Sequence, residues 1–300
     1  MSTSRISSIP AVSVRGLTKR FGRFTAVDNV DFDIDPDRIY GLLGRNGAGK
    51  TTVMQMLTGQ LRQTSGDISI FGQQPFENPV ALARVCFVKE SQRYPEDYRV
   101  KHVLAAASQL LPNWNNDFAH ELIKDFDIPL DRKMKKLSRG TTSAVGVTVG
   151  LASRAPLTIF DEPYLGLDAV SRTMFYDRLL ADFSENPRTI VLSTHLIDEV
   201  SDLIEHVLVI DKGRILLDDN ADALRSRAVM VSGPARTVEA FAADHAVLHR
   251  ESLSSLARAT VAVELTDAER NRALAAGLQL EPVSLQQLVV RSTTAAKESA

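Results

Sequence analysis

The 300-residue chain is poor in several features, and each scarcity narrows what it can be. It has one cysteine, Cys86, so it carries no intramolecular disulfide framework and suits a reducing compartment. Within "RVCFVKE" that cysteine reads as a small buried hydrophobe. Net charge is scarce too: 35 basic and 37 acidic residues leave −2. No global field draws the chain to nucleic acid or to an anionic membrane surface, and no nucleic-acid partner is expected. There is no long uncharged apolar run, and "MSTSRISSIP" has no apolar segment after its arginine. Neither a signal peptide nor a membrane span of its own is expected. Heptad repeats are also missing, which argues against long coiled arms. What remains is an ordinary globular balance, 44% hydrophobic and 24% charged, in a length that suits about two domains.

From Val12 to about Asp35, "AVSVRGLTKRFG" and "AVDNVDFDID" alternate apolar and polar residues as half-buried strands do. "RIYGLLG" is a more continuously apolar strand running into a glycine-rich turn. "KTTVMQMLTGQL" then places Val53, Met56, Leu57 and Leu61 on one helical face. Further on, "VKHVLAAASQLL" and "DFAHELIKDF" are helix-compatible, separated by Pro112 and closed by Pro129, and read as an inserted helical subdomain at about 91–140. Strand and helix then alternate through "LTIFDEP", "SRTMFYDRLLADF", "TIVLSTH", "LIDEVSDLI" and "HVLVIDKGRILLD", with Lys212-Gly213 as the hairpin turn. Beyond Asp219 the order becomes βαββαβ, that of a ferredoxin-like unit, with Thr266, Asp267 and Glu269 suited to a helix start.

Two motifs carry chemistry. "GRNGAGKT" (Gly44, Arg45, Asn46, Gly47, Ala48, Gly49, Lys50, Thr51) satisfies G-x-x-x-x-G-K-[ST] between a predicted strand and a predicted helix, the context of a P-loop rather than a plain glycine-rich turn. Its glycines let backbone N–H groups turn inward around phosphate oxygens. Lys50 brings a point charge to the β and γ phosphates, and the Thr51 hydroxyl can ligate Mg²⁺. "LTIFDEP" ends an apolar strand in two carboxylates, where ligands of open α/β sheets collect. Asp161 is suited to Mg²⁺ and Glu162 to polarising an attacking water; alone, the pair would read as a solvated strand end.

The ordered succession "GRNGAGKTT", "LSRGT", "FDEP", "LGLD" and "STH" resembles the ATP-binding subunit of an ABC transporter over roughly the first 220 residues. Leu137-Ser138 precedes Asp161-Glu162 at the distance that family shows. The resemblance implies an α/β fold: a P-loop NTPase domain of ABC ATPase type at 11–221, with an antiparallel β subdomain and a helical subdomain. A small C-terminal α+β accessory domain, ferredoxin-like in order, follows at 222–292, between a disordered N-terminus (1–10) and a tail (293–300). ATP and Mg²⁺ are the implied ligands, with Gly44 through Thr52 around the phosphates and Thr51 and Asp161 on the metal. Glu162 and His195 are the implied catalytic pair, and Asp168 falls at the D-loop aspartate that links the two sites of a dimer. Phe21 falls where the family stacks an aromatic on adenine, with a core phenylalanine as the alternative.

Two positions depart from the family pattern. Its Q-loop glutamine aligns with Glu90, with Gln92 two residues on, and either is a candidate Mg²⁺ ligand. The signature pentapeptide keeps Leu137, Ser138 and Gly140 but has Arg139 and Thr141. A γ-phosphate needs a helix N-terminus and a hydroxyl donor, which Ser138 and Gly140 still provide; the alternative is a plain helix cap. "TTSAVGVTVGLAS" then continues as a weak helix that tertiary packing must hold.

By resemblance, two such domains sandwich two ATP molecules and drive a separate integral membrane permease from the inner face of the cell membrane, as a peripheral cytoplasmic subunit. The pair is either a homodimer or a heterodimer with another ABC ATPase. The alternative is a soluble ABC-type ATPase acting as a mechanical clamp on ribosome or DNA. Such proteins carry paired ATPase domains, coiled arms or a basic surface, whereas this chain has one P-loop and near-neutral charge. A purely regulatory nucleotide-binding module would lack the hydrolytic carboxylate that Glu162 supplies.

Overall fold

A computed structural model describes residues 9–90 and 92–290. Apart from Ile9 and Pro10, the expected disordered N-terminus and the tail lie outside the described residues.

Strands β1 (Val12–Phe21) and β2 (Phe24–Ile34) pair antiparallel and bury alternate residues, among them Val12, Val14, Phe32 and Ile34. β3 (Ile39–Leu43) is buried at every position, as a strand covered on both faces must be. Helix α1 (Lys50–Leu57) buries Val53, Met56 and Leu57 as the periodicity predicts. It stops short of Leu61, because Gly59 takes a left-handed φ of 66° two residues beyond the last helical one; Leu61 still packs on the core, partly buried. β4 (Ser65–Ile70) returns to β1, giving a three-stranded sheet of order β2-β1-β4.

A short helix, α2 (Pro79–Leu82), is capped by the Asn78 side chain and leads to β5 (Val85–Val88). Helices α3 (Val100–Leu110) and α4 (Asn116–Asp125) form in the segments read as helical, and α4 is capped by Asn115. Next come α5 (Arg139–Ala152), β6 (Leu157–Asp161), α6 (Ala169–Glu185), β7 (Thr189–Thr194), α7 (Ile197–Val200), β8 (His206–Asp211) and β9 (Arg214–Asn220). Lys212 and Gly213 both take positive φ (49° and 79°), the primed hairpin geometry their residue types suggest. The second sheet has the order β5-β6-β7-β3-β8-β9, with β5, β6, β7 and β3 parallel. Its register sets Leu43 beside Thr194 and Asp161 beside Ser193. Three strand carboxyl ends thus open at one edge.

Helix α5 shows what packing adds to a weak helix-forming sequence. It buries Ala144, Val145, Val147, Leu151 and two glycines, Gly146 and Gly150. A Cβ on Gly150 would lie 2.4 Å from Phe160 Cε1 and 2.8 Å from Val88 Cγ2. The glycine therefore lets the helix approach β5 and β6. Ala in its place gains about 1 kcal/mol of helix propensity but forces a buried ring to move, at about 1–3 kcal/mol. Gly150→Ala is expected to lower unfolding free energy by up to about 2 kcal/mol in denaturant titration; a stabilised variant would contradict the close approach.

The chain divides into two compact units, the first ending at His195 and regaining Leu208–Ile215, the second comprising Leu196–Val207 and the described residues from Leu216 onward. Leu196–Val207, upstream of the boundary read from the sequence at 221, group with the second unit through specific bonds. Ala221 N–H donates to Glu205 O at 2.9 Å, and His206 Nε2 lies 2.6 Å from Asp218 Oδ1. The helix expected over "LIDEVSDLI" is correspondingly short, only α7. After α8 (Ala221–Ser226) come β10 (Val229–Pro234), α9 (Ala235–Ala242), β11 (Ala246–Leu253), β12 (Leu256–Ala262), α10 (Asp267–Ala275) and β13 (Gln279–Pro282). The antiparallel sheet order β11-β12-β10-β13 is the ferredoxin-like arrangement that the βαββαβ reading expects. Alternate residues Val229, Val231, Ala257, Ala259 and Val261 pack with Val238, Ala242 and Ala273 of the two helices. Thr266 and Glu269 form a reciprocal capping box at α10.

Candidate active site

Gly44 to Thr52 run from the end of β3 into the first turn of α1. Gly49 is the helix N-cap at φ 115°, and a Cβ there would sit 2.9 Å from Ala26 O. The first N–H groups of α1 have no acceptor within the helix, and no side chain caps them. Ala48 O accepts from Gly213 N–H at 2.8 Å and Arg45 O from Ala48 N–H at 3.0 Å, which fixes the loop's curvature. Lys50 is buried, and its Nζ donates to Gly44 O at 2.6 Å.

Residues far apart in the chain meet at this loop. Thr51 Oγ1 donates to Asp161 Oδ2 at 2.9 Å, and Lys50 Nζ lies 3.5 Å from Glu162 Oε1. Both carboxylates are buried, and Asp161 Oδ1 and Glu162 Oε1 are left without a hydrogen bond. Burial pushes the Asp161 carboxyl above its ordinary range, and the Thr51 hydroxyl offsets this only in part. Such an acid is stabilised by a nearby cation. No three His, Cys, Asp or Glu side chains among the described residues gather as an ion cage. The donors present, one hydroxyl and one carboxylate, instead suit a hard cation that shares phosphate oxygens.

Glu162 itself stands in the left-handed region, φ 49°. Its N–H donates to Ser193 O at 3.1 Å and its carbonyl accepts from Leu165 N–H at 3.1 Å. This conformation costs roughly 1–2 kcal/mol for a residue with a Cβ. His195 follows β7, with Nδ1 2.9 Å from Glu162 Oε2. Tyr164, which the sequence reading passed over, joins them: its hydroxyl donates to Glu162 Oε2 and accepts from Thr194 Oγ1 at 3.0 Å. The signal for it was a large aromatic between the two motifs "DEP" and "LGLD".

The other sequence-derived positions are distributed around this centre. Phe21 is about half exposed at the end of β1, with Lys19 Nζ 5.0 Å from its ring centroid, so it is not a core residue. Ser138 caps α5, accepting Thr141 N–H at 3.1 Å, while its hydroxyl and that of Thr141 lie 2.8 Å apart. Asp168 caps α6, accepting Ser171 N–H at 2.8 Å, and that bond holds its carboxyl below the ordinary range. Gly140 lies against the D-loop: a Cβ there would be 2.7 Å from Gly166 O, and Ser143 Oγ donates to Leu165 O at 2.7 Å. Position 140 is thereby closed to other residues, whereas the Arg139 side chain is mostly exposed.

Arg139 Nη2 lies 3.5 Å from Glu90 Oε1. The two departures from the family pattern therefore form a pair of opposite charge. Both are largely exposed, and the pair contributes at most about 1 kcal/mol. Glu90, Gln92, Arg93, Arg139 and Pro163 line one cleft of about 320 Å³. Gln92 N–H donates to Lys89 O at 3.2 Å.

The buried Cys86 thiol, pushed up to about 11 by burial, is no nucleophile.

Comparison with known proteins agrees with this fold. The ABC transporter family model matches residues 27–165. The bacitracin transport ATP-binding protein BcrA of Bacillus licheniformis is 30% identical over 219 residues, covering 72% of each chain. A Nod factor export ATP-binding protein I from Burkholderia lata is 29% identical, over 84% of this chain and 83% of that one. Among solved structures, the ATP-binding subunit of an ABC transporter superposes with a TM-score of 0.65 at 22% identity, over 72% of this chain and 92% of its own. A nucleotide-free ATP-binding cassette superposes with a TM-score of 0.57 at 19% identity, over 70% and 91%. The chain belongs to the ATP-binding subunits of ABC transporters, ATPases that energise transport through a membrane permease.

Proposed function

We propose that the chain works as one of a pair of such subunits, hydrolysing Mg²⁺-ATP at the cytoplasmic face of a separate integral membrane permease. No described helix is long and apolar enough to cross a membrane, and in this reading the translocation path belongs to another chain. The observation that carries the catalytic assignment is the double junction of Thr51 with Asp161 at 2.9 Å and Lys50 with Glu162 at 3.5 Å.

The backbone N–H groups of Gly44 to Thr52 and Lys50 hold the phosphates, and the half-exposed Phe21 ring stacks on adenine. Thr51 and Asp161 would hold Mg²⁺, with Glu90 or Gln92 completing the set, and a cation there would supply charge neutralisation to the phosphates. Glu162 takes the proton of a water whose oxygen attacks the γ-phosphorus as ADP leaves. His195 steadies the γ-phosphate. Ser138 and Gly140 serve the ATP held by the opposite subunit: the Ser138 oxygen accepts the capping N–H, and when the Thr141 hydroxyl 2.8 Å away donates to it as well, its own proton is turned to phosphate. Asp168 faces that second site. The ferredoxin-like unit is an accessory to this ATPase.

Detergent extraction of the tagged chain should recover a polytopic membrane protein in stoichiometric amount. ATP turnover of that complex should vanish in Lys50→Ala while the complex stays assembled. Recovery of ribosomes or DNA with no membrane protein would instead establish the clamp reading.

A further inference from the structure

The Tyr164 hydroxyl occupies the junction of three groups. It donates its single proton to Glu162 Oε2. Its oxygen accepts from Thr194 Oγ1 at 3.0 Å and from His195 N–H at 3.3 Å, and lies 3.0 Å from His195 Nδ1. The side chain is 1% exposed, and the Arg172 guanidinium lies 5.5 Å from the ring centroid. A phenol has one donor and two acceptor directions, and this site uses all of them.

We infer that Tyr164 is a positioning residue for ATP hydrolysis, tying the Glu162 carboxylate and the His195 ring into one rigid unit and leaving Glu162 Oε1 as the oxygen that meets water. The inference rests on the catalytic reading of Glu162 proposed above. With Oε2 engaged by Tyr164 and by His195 Nδ1 at 2.9 Å, Oε1 is the oxygen without a hydrogen bond, facing Lys50 Nζ at 3.5 Å on the phosphate side. Two oxygens that are chemically alike in a free carboxylate thus have different tasks here. A general base contributes only when its oxygen is aimed at the proton it takes, and the Tyr164 bond prevents the carboxylate from rotating its acceptor away. The same hydroxyl holds the backbone of His195, so imidazole and carboxylate keep one relative placement. Burial first, and the adjacent carboxylate second, push the phenol above its ordinary value, so it remains a donor at working pH.

The test compares Tyr164→Phe with Glu162→Gln in steady-state ATP hydrolysis and equilibrium ATP binding, on the full chain. Phe keeps the ring and removes the bond, so kcat should fall roughly 10- to 100-fold while KM and ATP affinity stay within about twofold. Combined with His195→Ala, it should lower kcat by less than the product of the single effects, because both act on one unit. Wild-type kcat in Tyr164→Phe beside an inactive Glu162→Gln overturns this inference and leaves the catalytic reading standing. An active Glu162→Gln overturns the reading itself. Parallel loss of kcat and ATP affinity in Tyr164→Phe marks a structural role and also overturns the inference. Should Tyr164→Phe fail to fold, Thr194→Val removes a donor to the same hydroxyl. It should lower kcat about 3- to 10-fold at constant KM, and an unchanged kcat overturns the proposal.

Discussion

Glu162→Gln should retain ATP and lose turnover, with kcat lower by roughly 10²- to 10⁴-fold, the range a positioned general base supplies. The amide has nearly the carboxylate's shape and can still accept from the Tyr164 hydroxyl, so the pocket keeps its form. What it lacks is an oxygen able to take a proton from water. Lys50 is freed from its 3.5 Å neighbour charge and becomes fully available to phosphate, so affinity should hold or rise. Single-turnover hydrolysis together with filter binding of labelled ATP measures the two quantities separately. Unchanged hydrolysis would sink the base assignment, and lost binding would mean that Glu162 supports the loop rather than the chemistry.

The second large effect lies at the opposite end of the parallel sheet. Asp182 on α6 is 2% exposed at its side chain and accepts both Nε and Nη2 of Arg154, at 3.1 and 2.7 Å. Arg188, just before β7 and almost as buried, places Nη1 2.7 Å from the other carboxylate oxygen. Burial lowers the Arg188 pKa, and Asp182 opposes that shift. Removing the carboxylate leaves two guanidinium groups facing each other in a largely dry site. Asp182→Ala should therefore cost about 3–5 kcal/mol, as loss of one partner from a buried ion pair does. The melting midpoint of the ATPase unit should fall by roughly 6–20 °C. Correctly folded molecules should still bind ATP normally, since these residues precede β6 and β7 while the nucleotide residues follow them. A melting change under about 2 °C would show that solvent reaches the cluster and screens it.

Much of the ATPase unit was legible because its signals are local. A P-loop needs glycines, one lysine and one hydroxyl within eight consecutive residues, so Gly44 to Thr51 announce it without long-range information. Strands buried on both faces, such as β3, β6 and β7, announce themselves as continuous apolar runs. The βαββαβ order of the second unit followed from alternating periodicities in the same way. Capping roles were harder to see. Ser138 and Asp168 match phosphate-site and dimer-contact positions, yet each also spends its side chain on its own helix, and one residue type serves both tasks.

Motif order, through its resemblance to a known family, was thus enough to point to an ATP-binding subunit of an ABC transporter. Three features depended on how distant segments pack. Gly150 reads as a helix-weakening residue until Phe160 is seen beside it. Glu90 and Arg139 read as two separate departures until their charges are seen to meet. Tyr164 carries no motif, and only the convergence of β6, β7 and the following loop places its hydroxyl between Glu162 and His195. The physical reason is common to all three. Periodicity and motif spacing report what a residue does along its own element, whereas contact across the sheet depends on register and approach distance, which no single segment encodes.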